Sequence, residues 1–177
     1  LYATPFTTFI LREKLRDAGL EEEAPITEVA LGGALELGPF KLELITLDDG
    51  YETDKTVANT KTLINDKKAF ALLAYYGSSP TTEAMNKVFG PAKVPLVGTI
   101  SGAGTLREPL SQNPNGRYMF NVRASYADET EAIVNQLVSL GLKNIAVFYQ
   151  NDGFGKSGLD GVTAALKKHN LAPTAVG

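Results

Sequence analysis

The chain has 177 residues, of which 44% are hydrophobic and 21% charged, and its formal net charge is -3 at pH 7. It contains no cysteine, which excludes disulfides and thiolate chemistry. The small net charge, with both signs interspersed, argues against nucleic acid or an anionic membrane as the main partner. The first residues, LYATPF, include neither Met nor a basic-then-apolar leader, so we expect any signal peptide to be absent from this chain.

Helix-like and strand-like patterns alternate from the start of the chain. Apolar residues at helical spacing predict a helix over residues 11–19. The alternating residues 41–47 predict a strand, and residues 53–66 are typical of a helix capped by Thr53. The apolar run over residues 69–75, AFALLAY, is typical of a strand that is buried on both faces.

The alternation continues through the second half. Ser79 is expected to cap a helix that has Pro80 in its first turn. Ser125 opens another helix with a capping box, and Gly141 ends it. The residues expected on buried stripes are Ile133, Leu137 and Leu140 in this helix and Leu159, Val162 and Leu166 in the next. Strands are predicted over residues 94–100, 118–124 and 144–149, and one more begins within residues 172–177.

This order of elements predicts an α/β fold built on a doubly wound parallel sheet. In such sheets, ligands bind outside the carboxyl ends of the strands. The loops that this rule selects are residues 48–52, 77–82, 99–106 and 150–155.

Several kinds of catalytic site lack the residues that they need. A serine nucleophile requires a base within reach, and the one histidine, His169, lies in LKKHN at the polar end of a helix, away from these loops. Asp48 and Asp49 resemble the paired acids of a phospho-receiver domain, but the strand at 69–75 delivers serine and threonine where the phosphorylated aspartate should stand. No group of His, Asp and Glu shows metal-ligand spacing. We therefore predict neither an enzyme nor a cofactor.

A nucleotide site remains an alternative on residues 150–157, QNDGFGKS, which follow a predicted strand and precede a helix. Gln150 stands where a phosphate-binding loop needs its first glycine, and Asp152 would place a carboxylate inside the anion-binding turn. Lys156 is also explained as an exposed lysine in the first helical turn. The segment SGAGTLR begins like a dinucleotide fingerprint but has Arg107 at the third glycine position.

The polar loops suit recognition of a small molecule without chemical change. Their hydroxyl groups belong to Ser78, Ser79, Thr81, Thr82, Ser101 and Thr105. Hydroxyls and free N–H groups at a helix start favour a carboxylate, and nearby backbone carbonyls favour an ammonium group. Tyr126 and Phe154 would add apolar or cation–π walls. Each serine is equally explained as a plain helix cap.

The chain resembles a known family over residues 38–177. The similarity is carried by LELITLDDGYETDKTVANTKTLI, the loop GSSPTT, VPLVGTISGAGTLREP, and the long segment from FNVRASYADE to FGKSGLDGV. These segments are similar to the Leu/Ile/Val-type periplasmic solute-binding proteins of ABC transporters, which are type I, two-lobed Venus-flytrap receptors. The segment TPFTTFILREKLRDAG is similar more loosely.

The resemblance implies particular binding residues. It assigns a serine hydroxyl and a backbone amide that hold the ligand's carboxylate to the loop of Gly77, Ser78 and Ser79; Ser78 is the binding serine and Ser79 is the helix cap beside it. The loop containing Ser101, Gly102 and Ala103 would supply a backbone carbonyl and further polar contacts to the ammonium and carboxylate groups.

The same resemblance places two aromatic residues at the ligand. Tyr126 would lie at the crossover between the lobes, and Phe154 would close over the ligand from the second lobe, at a position where the family often has tyrosine. Residues 1–121 would form the first lobe, with its first strand largely absent, and residues 122–177 would begin an incomplete second lobe. The hinge is expected near residues 121–125.

The implied function is that of an extracytoplasmic protein that captures a small amino acid or related carboxylate and delivers it to an ABC transporter permease. The resemblance implies a monomer when full length, in the periplasm or another extracytoplasmic location, without nucleic-acid partners. The alternatives are a nucleotide-binding α/β enzyme and a ligand-sensing domain of a receptor or regulator on the same fold.

Overall fold

The computed structural model describes residues 35–37 and 40–177, so the helix predicted over residues 11–19 lies outside the described part. The chain divides into two units between Thr46 and Leu47. In the first unit, strands β1 (Leu35–Leu37) and β2 (Phe40–Leu42) pair antiparallel.

The prediction of a strand over residues 41–47 is wrong beyond Leu42, where β2 ends. Residues 43–49 adopt no regular structure, although their apolar residues alternate. Leu44 and Leu47 are exposed, so the alternation at these two residues does not correspond to a buried face. Alternation alone therefore overestimates the length of the strand.

The second unit, Leu47–Gly177, contains the other described elements. Its α-helices are α1 (Thr53–Lys61), α2 (Ser78–Ala84), α3 (Tyr126–Ser139) and α4 (Gly153–Lys168). Its strands are β3 (Leu72–Leu73), β4 (Leu96–Val97), β5 (Met119–Phe120), β6 (Ala146–Val147) and β7 (Ala175–Val176). A π-helical stretch, Thr62–Asp66, prolongs α1, while Met85–Phe89 and a last turn, Gly90–Ala92, prolong α2. Two 3₁₀ segments span Gly104–Leu106 and Pro114–Tyr118.

Parallel pairing organises this unit, as the sequence predicts. Strands β3, β4 and β5 form a three-stranded parallel sheet in that order, and β6 pairs parallel with β7. Leu72, Leu96 and Met119 are register partners across the three strands, and all three side chains are buried. The α/β fold with a parallel sheet is thus confirmed.

The prediction that the strand at 69–75 is buried on both faces is wrong. Leu72 is 2% exposed, whereas the next residue, Leu73, is 50% exposed. Successive side chains of a strand point to opposite faces, and Met85 and Phe89 pack on only one of them. The near-continuous apolar run does not distinguish one covered face from two.

The buried stripe of α3 is shifted by one position from the predicted one. Ile133 and Leu140 are exposed, while Val134 is buried and packs with Ala165 and Leu166 of α4. The direction of α3 relative to α4 selects the face that carries Val134, and several helical faces of this sequence carry apolar residues.

The predicted start is confirmed for helix α3 and wrong for helices α1 and α2. Ser125 caps α3 with a complete capping box, as predicted, and its partner in the box is Asp128. The helix predicted to be capped by Thr53 instead begins at that residue, with no side-chain cap. Helix α2 begins at Ser78 after Gly77, two residues earlier than predicted, so Ser79 is not its cap.

Two glycines have the positive φ angles that their turns require. Gly77, at φ +93°, precedes α2, and Gly141, at φ +81°, follows α3, which ends where the sequence predicts. Within the described residues, none of the helices combines the length and the apolar character needed to cross a bilayer.

Candidate functional site

A cavity of about 780 Å³ lies at the carboxyl ends of the parallel strands. Each of the four predicted loops contributes lining residues, including Tyr51, Ser78, Ser101 and Gln150. The rule that places ligands beyond the strand ends therefore located the cavity from the sequence.

Ser78 and Ser101 form a buried hydroxyl pair on one wall of this cavity. Their Oγ atoms are 2.8 Å apart, and both residues are 2% exposed. Ser101 Oγ also accepts a hydrogen bond from the N–H of Ala103 at 3.1 Å. Because Ser78 is the first residue of α2, the N–H groups of this turn have no partner inside the helix. This wall offers hydroxyl and amide groups in one place.

The other two residues of the predicted 101–103 loop lie behind this wall. Gly102 and Ala103 are not among the residues that line the cavity in the described part of the chain. The carbonyl of Gly102 accepts a hydrogen bond from the N–H of Tyr126 at 2.8 Å. A Cβ on Gly102 would lie 2.8 Å from the ring of Tyr126, so a glycine permits this approach.

The two predicted aromatic residues meet in the cavity. The rings of Tyr126 and Phe154 are arranged edge to face, with centroids 5.3 Å apart. The guanidinium carbon of Arg123 lies 5.2 Å from the centroid of Tyr126, in cation–π contact. Arg123 also forms an ion pair with Glu129 of α3 and donates to the carbonyl of Ile100 at 2.8 Å.

A second arginine supports the chain beneath this wall. Arg107 donates from Nη2 to the carbonyl of Arg123 at 2.7 Å. Burial, and secondarily the neighbouring Arg123, lower the pKa of Arg107 from its usual value. Arg107 occupies the position where a dinucleotide fingerprint would have its third glycine. Its hydrogen bond to Arg123 holds the backbone that follows β5.

Ser79 contacts a helix other than its own. Its Oγ accepts a hydrogen bond from the N–H of Gly153, the first residue of α4, at 3.1 Å. Close by, the hydroxyl of Tyr51 donates to Asp152 Oδ2 at 3.2 Å. Burial, followed by the charge and hydrogen bond of Asp152, raises the pKa of Tyr51, so its hydroxyl remains a donor throughout the neutral range.

Sequence reasoning missed much of the aromatic wall. The aromatic lining residues that it did not single out are Tyr51, Tyr76, Phe148 and Tyr149. Tyr51 and Tyr76 pack with centroids 5.4 Å apart. All four occur in or beside the strand-end loops, so an aromatic residue next to such a loop was the available signal. The Arg123–Glu129 pair gave no such signal, because it depends on how α3 lies against the loop that follows β5.

The structure does not support the phosphate-binding reading of residues 150–157. Asp152 Oδ1 accepts a hydrogen bond from the N–H of Gly155 at 2.9 Å, so a carboxylate already occupies the amide that a phosphate would need. Lys156 is exposed in the first turn of α4. His169 lies at the opposite end of this helix and contacts Asn135 at 2.6 Å. The described residues contain no cluster of three or more His, Asp or Glu side chains that could hold a metal ion.

Comparison with known proteins identifies related chains. The sequence is 34% identical to a possible leucine/isoleucine/valine-binding protein from Rhodopirellula baltica, over 75% of this chain and 34% of that one, with a TM-score of 0.66. It is 32% identical to a substrate-binding periplasmic protein from Ralstonia solanacearum, over 73% of this chain and 35% of that one, also with a TM-score of 0.66. The chain thus spans about a third of the length of these relatives.

A more distant structure shares the fold over nearly the whole chain. It is an ABC transporter solute-binding protein from R. palustris in complex with 4-hydroxybenzoate, 15% identical, with a TM-score of 0.67 over 99% of this chain and 44% of that one. No curated protein sequence matches. The sequence profile described as "Periplasmic binding protein" matches residues 24–177. The chain therefore belongs to the periplasmic binding protein family, and its fold is that of a type I lobe.

Proposed function

We propose that this chain is the ligand-binding part of an extracytoplasmic solute-binding protein that captures a small amino acid or a related carboxylate for an ABC importer. It acts by binding, without catalysis and without a cofactor, and it delivers the ligand to a transporter permease. Two findings support this proposal: the chain belongs to the periplasmic binding protein family, and its sequence is 34% identical to that of a possible leucine/isoleucine/valine-binding protein.

The choice of ligand rests on the charged side chains that line the cavity. The described residues that line the cavity include two charged side chains, Arg123 and Glu129, and these form an ion pair with each other. The lining is otherwise made of hydroxyl, amide, aromatic and aliphatic groups. A wall whose charges cancel leaves no net charge to attract or repel a ligand, so it suits a ligand whose own charges cancel. A zwitterionic amino acid meets this condition.

The binding roles follow from the groups that are accessible. Ser78 would donate its hydroxyl and the first-turn amides of α2 to the ligand's carboxylate, with Ser101 holding the Ser78 hydroxyl in place. Gly102 and Ala103 would shape this wall from behind, where the carbonyl of Gly102 accepts the N–H of Tyr126. Tyr126 and Phe154 would pack on the ligand's side chain from the opposite side.

The first test is a thermal-shift panel on the full-length protein that contains this chain. The panel consists of the twenty amino acids, 4-hydroxybenzoate and Mg-ATP. We expect the melting temperature to rise with concentration for one group of amino acids, because a ligand that binds the native state stabilises it by mass action. A rise with Mg-ATP alone would overturn the proposal and favour the nucleotide-binding alternative.

The second test is the Ser78→Ala variant, titrated calorimetrically with the amino acid that gives the largest shift. Loss of a hydrogen bond to a charged carboxylate should weaken binding by about 1–3 kcal/mol, or roughly 5- to 150-fold. The matched control is Ser139→Ala, which removes an exposed hydroxyl that donates to the carbonyl of Gln136 in α3, outside the cavity. Equal affinities for the two variants would show that Ser78 serves only the fold.

A further inference from the structure

Two hydrogen bonds join distant parts of the sequence beside the cavity. Ser79 binds the N–H of Gly153 across 74 positions, and Tyr51 binds the carboxylate of Asp152 across 101 positions. Both bonds end at the start of α4. One begins at Ser79 in the first turn of α2, and the other begins at Tyr51 in the turn before α1. We call these four residues, Tyr51, Ser79, Asp152 and Gly153, the clasp.

The α4 side of the clasp is held in one orientation. Asp152 uses Oδ1 to cap its own helix at the N–H of Gly155, at 2.9 Å. Its other oxygen, Oδ2, accepts from Gln150 Nε2 at 2.9 Å as well as from Tyr51. Because both oxygens of this carboxylate are hydrogen-bonded, its position is well defined. The bond to Tyr51 therefore holds the first turn of α4 in place.

The facing side of the clasp depends on two close approaches. A Cβ on Gly153 would lie 2.6 Å from Ser79 Oγ, so only glycine lets the helix come this near. A Cβ on Gly77 would lie 2.6 Å from the ring of Tyr51, and the φ of +93° at Gly77 also requires glycine. These glycines allow the partners to meet, and neither of them supplies chemistry itself.

The hydroxyl group of Ser79 is already engaged in the hydrogen bond to Gly153. It does not cap α2, and its oxygen accepts from a backbone group of α4 rather than facing an empty space. In contrast, Ser78 lines the cavity, and Ser79 is absent from the described lining residues. Two neighbouring serines thus have different tasks, one on the cavity wall and the other on the α4 contact.

We propose that Tyr51 and Ser79 are positioning residues that hold the first turn of α4, with Phe154, over the cavity. Phe154 is the second residue of α4 and meets Tyr126 across the cavity, so displacement of this turn would open the aromatic wall. Ligand entry and release would then require both bonds of the clasp to break. This role rests on the proposed function, since it concerns access to the same site.

The clasp itself can be tested without any ligand. Spin labels at Ala58→Cys in α1 and Ala164→Cys in α4, both exposed, report the separation of the two helices by pulsed electron paramagnetic resonance. These 177 residues contain no cysteine, so within them only the two introduced cysteines are labelled. In the unliganded full-length protein, we expect Ser79→Ala/Tyr51→Phe to broaden the distance distribution and move it to longer values. The control, Ser139→Ala, should leave the distribution as in the parent protein.

An unchanged distribution in the double variant would overturn the clasp. If that variant fails to fold, Tyr51→Phe alone replaces it, because phenylalanine keeps the ring that packs against Tyr76 and removes only the hydroxyl that donates to Asp152. We expect Tyr51→Phe to lengthen the distances as well, and an unchanged distribution there would be equally decisive against the clasp.

Ligand kinetics separate failure of the clasp from failure of the proposed function. With valine as the probe in stopped-flow fluorescence, removal of two ordinary hydrogen bonds should speed dissociation by roughly 5- to 100-fold. Longer distances without binding of any of the twenty amino acids would uphold the clasp and count against the amino-acid ligand. Valine binding with unchanged distances and unchanged dissociation would uphold the function and overturn the clasp.

Discussion

The β3–β4–β5 sheet and the α3–α4 helix pair bury their residues in different ways. The sheet packs beneath large side chains, among which Met85 and Phe89 are fully buried. The helix pair has a smaller core of Val134, Ala165 and Leu166. There, close backbone approach replaces large side chains, since a Cβ on Gly161 would lie 2.3 Å from Thr130 Oγ1 and 3.3 Å from Ala127 Cα.

The difference indicates which substitutions each region tolerates. A sheet covered by large side chains is sensitive to their removal, because the space that they leave is not refilled. Two helices in close contact are sensitive to added atoms, because neither backbone can yield without moving the other. Hydrogen exchange of the full-length protein, read by region, distinguishes the two behaviours.

The largest effect is expected for Phe89→Ala. This ring is fully buried and packs edge to face against Tyr75, with centroids 6.4 Å apart. Its loss should destabilise the native state by about 3–5 kcal/mol and reduce hydrogen-exchange protection over residues 72–119. Phe148→Ala, at a side chain that is 94% exposed, is the control and should change stability by less than about 0.5 kcal/mol. Similar losses in the two variants would show that the sheet core is not centred on Phe89.

The second prediction compares two glycines of α4. Gly161→Ala should destabilise the α3–α4 pair by about 1–3 kcal/mol, because its new methyl group meets Thr130 and Ala127. Gly158→Ala, three residues earlier, meets nothing within 4 Å and should be neutral or stabilise the helix by up to about 1 kcal/mol. The readout is exchange protection over residues 126–168. The prediction fails if both variants respond alike.

A smaller effect is expected at the start of α3. Ser125→Ala removes the cap that accepts the N–H of Asp128 at 3.0 Å, and it should cost about 1 kcal/mol, with the loss of protection confined to the first turn. The same substitution at Ser139, in the last turn, should have little effect. Loss of protection throughout α3 would indicate that the cap sets the whole helix and not only its first turn.

The smallest effect concerns the pKa of Asp128. Hydrogen bonds from the hydroxyl and N–H of Ser125 lower this pKa below its usual value of 3.8. A folded-state pKa below the unfolded one stabilises α3 above about pH 3.8, and this contribution is lost as the pH falls through the folded value. An NMR titration of the Asp128 carboxyl group should give a midpoint below 3.8 in the parent protein and a higher midpoint in Ser125→Ala. Equal midpoints would exclude the hydroxyl of Ser125 as the cause.

The site was partly predictable because loops at strand ends are set by local pattern. The sequence selected the four loops, and it identified Ser78, Ser101, Tyr126 and Phe154, which the structure brings to one cavity. It assigned Ser79 to the wrong partner, because a serine before proline is typical of a helix cap. The contact with Gly153 depends on a residue 74 positions away. The predicted lobe boundary after residue 121 remains a prediction.

The sequence by itself determined the alternation of strands and helices and the capping box at Ser125, because each depends on residues within a few positions of one another. The alternation in turn implies the parallel pairing of the strands. Tertiary structure alone decided which faces are buried, where α2 begins, and which side chains cross the cavity. These depend on the directions of packed elements, which a local pattern does not contain. Val134 rather than Ile133 is buried in α3, and Ser79 rather than Ser78 binds α4, for this reason.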